Sequence, residues 1–167
     1  MNIPSNDILI HLKSQIGFEQ SFTSPDPLSS GTIRQYCEAI GDYNPVYFDP
    51  VFAKAVGYDG LIAPPSLICE SEQFSGYCEV NPILSGSYYF REHWYSWLRA
   101  GNNYEFYRPA NIGDLISTEK CLEDVWLKIG SKGTHIFRKI LIIYKNQCGV
   151  TLAKNEEIMF LTVPSIA

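Results

Sequence analysis

Three side chains with complementary chemistry lie close together at the start of one polar segment, GDYNPVYFDPVFAKAVGYDGLIAPPS, which covers residues 41–66. They are an acid (Asp42), an amide (Asn44) and a phenol (Tyr47). A carboxylate can accept a proton and a phenol can donate a hydrogen bond, so this set is a candidate catalytic loop. Asn, Asp, Gly and Pro are also ordinary turn residues, and a loop without chemistry therefore stays an open interpretation.

The end of the same segment predicts the start of a helix. Pro64 and Pro65 do not suit a helix interior, but proline suits the first helical turn, where its missing N–H group costs nothing. We therefore predict that Ser66 to Gln73 form the start of a helix, with its free N–H groups directed at the polar loop. Such a helix end can stabilise a developing oxyanion. A shorter helix over residues 49–56 is predicted between the loop and this entry.

The composition is that of an ordinary globular protein and argues against several classes of function. The 167 residues fit one domain, residues 1–167. A net charge of -5, with scattered Lys and Arg, argues against a nucleic-acid partner. The apolar cluster at residues 8–10 is too short for a signal segment or a membrane span, so no membrane association is expected.

Cysteine usage predicts a cytoplasmic protein with reduced thiols. The five cysteines are odd in number, widely spaced and without a C-x-x-C pair, which disfavours a disulfide framework or a zinc site. Because no phosphate-binding loop or dinucleotide fingerprint occurs either, we expect no metal and no cofactor. The cysteines are Cys37, Cys69, Cys78, Cys121 and Cys148.

Two helices and a short strand are predicted before the loop. Apolar residues recur at helical spacing over residues 5–16, and residues 18–22 alternate as a strand does. Ser30 is the predicted N-cap of a second helix that runs through Ile40. Gly41 is its expected stop, because glycine readily adopts the left-handed conformation that ends many helices.

The last third of the chain predicts an antiparallel sheet. Strands are expected at residues 104–106, 115–128, 135–145 and 150–163, with an irregularity in the second. Short turns join the last three strands into a meander. One face of this sheet must be covered, and the helix after Pro65 is the best candidate. The predicted fold class is therefore α+β, an antiparallel sheet wrapped around one long central helix.

The stretch from residue 75 to residue 100 is rich in aromatic side chains and contains His93 and Trp94. Such a stretch lines a cleft for an apolar ligand in some proteins, and covers the core or a subunit contact in others. Both interpretations stay open, and His93 and Trp94 are carried as candidate substrate-binding residues. His11 and His135 are interpreted as surface or structural histidines.

The polar segment resembles the hydratase signature of MaoC-like dehydratases, the (R)-specific enoyl-CoA hydratases, which are hot-dog folds. Within this family, the segment is similar in particular to the N-terminal-type branch, in which the loop ends in Ala-Pro-Pro. YEFYRPANIGD, residues 104–114, is similar to a strand and turn of that branch, and YKNQCGVTLAKNEE, residues 144–157, is similar to its last hairpin. Together these matches cover most of the chain from about Ile33 to Val163.

The resemblance implies addition of water to, or its removal from, the C2–C3 bond of an acyl thioester carried on coenzyme A or acyl carrier protein. In the family, an Asp and a His five residues later activate the water, and a backbone N–H group at the central helix binds the thioester oxygen. The Asp falls on Asp42 and the Asn on Asn44. The helix entry falls on Pro65, Ser66 and Leu67, and Ser66 or Leu67 must supply the donor because proline has no N–H group.

The chain departs from the family at the position of the His, which is Tyr47 here. Imidazole has a pKa near 6.5 and exchanges protons at neutral pH, whereas the pKa of a phenol is near 10. Tyr47 can donate a hydrogen bond, but it does not simply replace a histidine as a base.

Three hypotheses follow from this departure. The first is a subunit of a heteromeric hydratase, in which a second hot-dog chain supplies the His and covers the free sheet edge. The second is a self-sufficient hydratase that uses Asp42 with Tyr47, or with His93. The third is an acyl-CoA-binding hot-dog module without chemistry. In each case the thioester is a substrate or ligand and not a resident cofactor.

Overall fold

The computed structural model describes residues 5–70, 84, 87–90, 93–130 and 133–163. The elements are α1 (Ser5–Lys13), β1 (Glu19–Thr23), α2 (Ser30–Ile40), a 3-10 turn (Pro45–Tyr47), α3 (Pro50–Ala55), α4 (Pro65–Glu70), β2 (Ser87–Phe90), β3 (His93–Ser96), β4 (Leu98–Phe106), β5 (Ser117–Gly130), β6 (Gly133–Lys145) and β7 (Thr151–Val163). Within these residues no helix is long and apolar enough to cross a membrane.

One five-stranded sheet dominates the structure, with the strand order β1-β5-β6-β7-β4 and antiparallel pairing throughout. Strands β5, β6 and β7 form the predicted meander. Strand β4 lies at one edge, and it begins at Leu98, earlier than the predicted start at Tyr104. Strands β2 and β3 form a separate two-stranded hairpin within the aromatic stretch.

The two faces of the sheet differ in burial. Side chains alternate between buried and half-buried along β6 and β7, and the buried rows join residues of α1, α2 and α4 in one hydrophobic core. We call the face that carries these buried rows the inner face. On β5, β6, β7 and β4 its members include Leu122, Val125, Ile136, Arg138, Ile140, Ile142, Ala153, Asn155, Glu157, Met159, Asn102, Tyr104 and Phe106.

The irregularity predicted in β5 is a bulge between Leu122 and Asp124. Leu122 lies opposite Ile140 and Val125 lies opposite Arg138, so both residues point to the inner face. Strict alternation would turn one of the two outwards, because side chains repeat every second residue in a strand. The bulge therefore keeps the apolar row of β5 buried on both sides of it.

Helix α2 ends where it was predicted to end and begins with a different cap. Its N-cap is Ser29, whose Oγ accepts a hydrogen bond from the Thr32 N–H group at 3.0 Å; the predicted cap, Ser30, is already helical. An N-cap residue needs extended backbone so that its side chain can reach the first turn, and Ser29 has it. Gly41 is the left-handed C-cap, with φ of 71°.

Replacing Gly41 with alanine is expected to destabilise the fold by about 1–2 kcal/mol, because a Cβ atom is unfavourable in the left-handed region. The added Cβ meets no atom within 4 Å, so the loss would come from the backbone alone. Gly31→Ala, in the first turn of the same helix, is the matched control and is expected to stabilise by about 0.5–1 kcal/mol. Urea denaturation of both variants tests this pair, and equal shifts would contradict it.

The predicted central helix is described only at its start. Helix α4 begins at Pro65, inside the predicted entry, and Leu67 and Ile68 are buried in the core. The rest of the prediction, residues 71–73, lies outside the described residues. The same holds for Cys78 and for most of the aromatic stretch before β2.

Candidate active site

The polar loop is held by hydrogen bonds from its own side chains. The Asp42 N–H group donates to the Cys37 carbonyl at 3.0 Å, which ties the loop to the end of α2. Asp42 Oδ1 accepts from the Asn44 N–H group at 3.1 Å, and Asn44 Oδ1 accepts from the Val46 N–H group at 3.3 Å. The side chains of Asp42 and Asn44 therefore stabilise two successive turns. This structural role is also the one expected if the loop has no catalytic function.

Tyr47 ends the 3-10 turn and packs half-buried against the core. Burial raises the pKa of its phenol, and the nearby negative charge of Asp42 raises it further. The pKa thus moves away from neutral pH, so the side chain stays a neutral O–H group there. A neutral hydroxyl at this position can donate a hydrogen bond.

Helix α3 and the segment after it carry the chain from the loop to the helix entry. Asp49 caps α3, because its Oδ1 accepts from the N–H groups of Val51 and Phe52 at 2.8 and 3.1 Å. The Ala63 N–H group then donates to the Ala110 carbonyl at 2.8 Å. This contact fixes the start of α4 beside the segment that follows β4.

A cavity of about 290 Å³ lies where these three segments meet. It brings together Asn44, Tyr47 and Pro65 from the predicted site, while Asp42 is not on its wall. The cavity is also lined by Tyr58, Phe106 and Arg108, which the sequence analysis did not predict as site residues. The signal for Arg108 was present, because it belongs to the Arg-Pro turn of the resembling segment. The remaining lining residues are Val46, Ile62, Ala63, Ile68, Tyr107, Pro109 and Ala110.

The two predicted N–H donors at the start of α4, Ser66 and Leu67, differ in their hydrogen bonding. The Leu67 N–H group already donates to the Pro64 carbonyl at 3.0 Å, and the Leu67 side chain is buried in the core. Ser66 is exposed, and its N–H group has no acceptor among the described residues. Of the two predicted donors, only Ser66 therefore has an N–H group without an acceptor in the described part of the chain. Neither Ser66 nor Leu67 lines the cavity, although Pro65, which precedes them, does.

His93 and Trp94 lie on β3, opposite Phe90 and Tyr89 of β2. Neither lines the cavity, and the Trp94 side chain is 73% exposed. The structure thus places these two predicted substrate-binding residues on the hairpin, apart from the cavity wall. In the described ranges, no three His, Cys, Asp or Glu side chains form a group that could hold a metal ion.

Comparison with known proteins agrees with the predicted chemistry. A family model described as "FAS1-like, dehydratase domain region" matches residues 14–155. A probable enoyl-CoA hydratase alpha subunit from Thermomonospora curvata is 30% identical over 143 residues, which cover 77% of this chain and 43% of that protein.

Solved structures agree with the predicted fold. A chain of the ChsH1–ChsH2 complex from Mycobacterium tuberculosis superposes with a TM-score of 0.74 at 20% identity, covering 97% of this chain and 93% of that one. A MaoC-like dehydratase from Rhodospirillum rubrum gives a TM-score of 0.65 at 14% identity, covering 90% and 94%. These likenesses confirm the α+β hot-dog fold.

Proposed function

Because the chain belongs to the FAS1-like dehydratase domain family, we propose that it is one subunit of a MaoC-type hydratase or dehydratase whose partner supplies the catalytic histidine. The main support for this proposal is the chemistry of Tyr47. It stands where the resemblance implies a histidine, and its pKa is raised by burial and by Asp42. A hydratase needs a group that accepts a proton near neutral pH, and this phenol does not meet that need.

The cavity supports binding of an acyl thioester beside the loop. Ile62, Ile68 and Phe106 give it apolar walls, which suit the hydrocarbon part of an acyl group. The Ser66 N–H group and the Tyr47 hydroxyl are the proposed hydrogen-bond donors for the thioester oxygen. Both roles need only a neutral donor, so they are compatible with the loss of the histidine.

The edge of the sheet supports a second hot-dog subunit. In the described part of the chain, β4 pairs on one side only, and eight of its nine residues are exposed. Its aromatic residues Tyr104 and Phe106 stack at 5.8 Å and are 37% and 48% exposed. An open edge with exposed aromatic rings is suited to a partner strand. The relative from Thermomonospora is named as an alpha subunit, and ChsH1–ChsH2 is a complex.

An acyl-CoA-binding module without chemistry is the second candidate, and the same raised pKa of Tyr47 favours it. A self-sufficient hydratase has less support. Asp42 does not lie on the cavity wall, and His93 belongs to the hairpin.

The test is hydration of crotonyl-CoA by the purified chain, alone and mixed with a histidine-bearing hot-dog protein encoded beside it. We expect a rate above background only in the mixture, with that partner alone as the control. Full activity of the pure chain would contradict the proposed division of labour. Binding of crotonyl-CoA without turnover, even in the mixture, would favour the binding module.

A further inference from the structure

The cavity beside the polar loop contains one charged side chain. Of the lining residues that the structure describes, only Arg108 carries a charge, and the others are apolar side chains, phenols and one amide. Arg108 is exposed, so a ligand that enters the cavity can reach its guanidinium. The chain as a whole has a net charge of -5, which makes a cation at this place notable. A few placed polar groups in a largely apolar pocket usually fix the orientation of a ligand and give specificity.

Arg108 has no anionic partner in the described part of the chain. Its side chain takes part in no ion pair and no hydrogen bond there. The acid nearest to it along the sequence, Glu105, has other partners. Its Oε2 accepts from the Tyr107 hydroxyl at 2.8 Å, and its Oε1 lies 3.6 Å from Lys154 Nζ. The N–H donors of the Arg108 guanidinium are therefore available to a ligand.

The backbone around Arg108 is held in place by hydrogen bonds. The N–H groups of Tyr107 and Arg108 both donate to the Leu152 carbonyl, at 2.9 and 3.2 Å. Two residues later, the Ala110 carbonyl accepts from the Ala63 N–H group at 2.8 Å. The side chain of Arg108 thus starts from a fixed wall, and such preorganisation lowers the cost of binding a ligand.

Phe106 shares the cavity wall with Arg108. The two residues are two positions apart, and both line the cavity. An aromatic ring packs against hydrocarbon, and a guanidinium forms parallel hydrogen bonds with a carboxylate or a phosphate. This pair therefore suits a ligand that presents a hydrocarbon segment followed by an anionic group.

Taking the proposed function as its basis, we infer that Arg108 binds an anionic group of the acyl-thioester ligand through charge-assisted hydrogen bonds. Such a ligand has two places for this group. One is a carboxylate at the end of the acyl chain, and the other is the first phosphate of coenzyme A or acyl carrier protein.

The size of the cavity favours the carboxylate. An extended pantetheine arm puts the phosphate about 15 Å from the thioester sulfur, whereas the terminal carboxylate of a five-carbon acyl group lies about 6 Å from it. The cavity has a volume of about 290 Å³, and a compact space of that volume is only about 8 Å across. A carboxylate therefore reaches Arg108 with the thioester still inside the cavity.

The test is titration calorimetry of the purified chain with four probes, which are pentanoyl and glutaryl thioesters, each on coenzyme A and on N-acetylcysteamine. The two acyl groups have the same length and differ in a terminal carboxylate, and N-acetylcysteamine carries no phosphate. In Arg108→Gln we expect both glutaryl probes to bind about tenfold less tightly, through loss of the charge-assisted hydrogen bonds. Both pentanoyl probes should bind as before.

Arg34→Gln is the matched control, because it removes the same charge from an exposed position on α2 that does not line the cavity. It should leave the affinity of all four probes unchanged. In Arg108→Gln, a loss confined to the two coenzyme A probes would also support anion binding and would assign the anion to the phosphate.

Two results would overturn the inference and leave the proposed function standing. One is unchanged affinity of all four probes in Arg108→Gln. The other is an equal loss for all four, including the neutral pentanoyl-N-acetylcysteamine, because Arg108 would then only shape the wall. If the native chain binds none of the probes, the proposed function fails and the inference fails with it.

Discussion

Replacing Tyr47 with histidine is expected to give the isolated chain a hydratase activity that the native chain lacks. Imidazole has a pKa near 6.5, whereas burial and Asp42 hold the pKa of the Tyr47 phenol above its usual value. A positioned general base contributes about 10²–10⁴-fold to the rate. We therefore expect crotonyl-CoA hydration by Tyr47→His to exceed that of the native chain by a factor in this range.

Two further variants show whether the gain has the proposed origin. Tyr47→Phe removes the hydroxyl without adding a base, so it should remain inactive. Adding Asp42→Asn to Tyr47→His should lower the gain in rate, because the imidazole would lose the nearby negative charge of Asp42. The activity should also fall below about pH 6.5, where the imidazole is protonated. A folded Tyr47→His chain as slow as the native one would contradict the assignment of this position.

Replacing Arg138 with alanine is expected to lower the free energy of unfolding by about 3–5 kcal/mol. Arg138 is fully buried on the inner face, with its guanidinium 4.1 Å from the centre of the Trp97 ring. Its Nη2 lies 3.1 Å from Met159 Sδ. Alanine would leave a cavity and would remove a positive charge that interacts favourably with Glu157, whose direct ion pair, at 2.9 Å, is with Arg99.

Arg138→Met separates the lost volume from the lost charge. Burial lowers the pKa of Arg138 to about 9, against a smaller opposing effect of Glu157. Since the unfolded chain binds the proton more tightly, the cost of burying this charge is fully present at pH 7 and is relieved only as pH rises above about 9. Methionine removes that cost and fills most of the space, so it should destabilise much less than alanine.

Urea denaturation at pH 7 measures both Arg138 variants. A loss below about 1 kcal/mol for Arg138→Ala would show that neighbouring side chains collapse into the space. Equal losses for alanine and methionine would instead show that the charge is a net stabilising group.

The sequence predicted those features that depend on local pattern. Gly41 as the stop of α2, the meander of β5 to β7 and the irregularity near Leu122 all follow from spacing that is visible in the chain. The burial of Asn155 and Glu157 was not predicted, because a strand pattern shows which residues share a face but not which face is buried. Asn155 and Glu157 alternate like any surface pair, and only the folded structure shows them as buried.

The candidate site was predicted in part, for a related reason. Asn44, Tyr47 and Pro65 belong to one segment, so the sequence could group them. Phe106 reaches the cavity through long-range pairing of β4 with β7, which local spacing does not reveal. Leu67 was taken for a donor because the hydrogen bond of its N–H group to Pro64 depends on the turn geometry.

The edge of the sheet at β4, which is open within the described part of the chain, has a consequence for the proposed subunit in the cell. An exposed edge strand with aromatic side chains is a template for aggregation until another strand covers it. If the proposed partner exists, a copy of the chain made in excess of it would therefore be prone to precipitation and proteolysis. Its abundance would then follow the supply of the partner, so that matched synthesis of the two chains would matter as much as the strength of their contact.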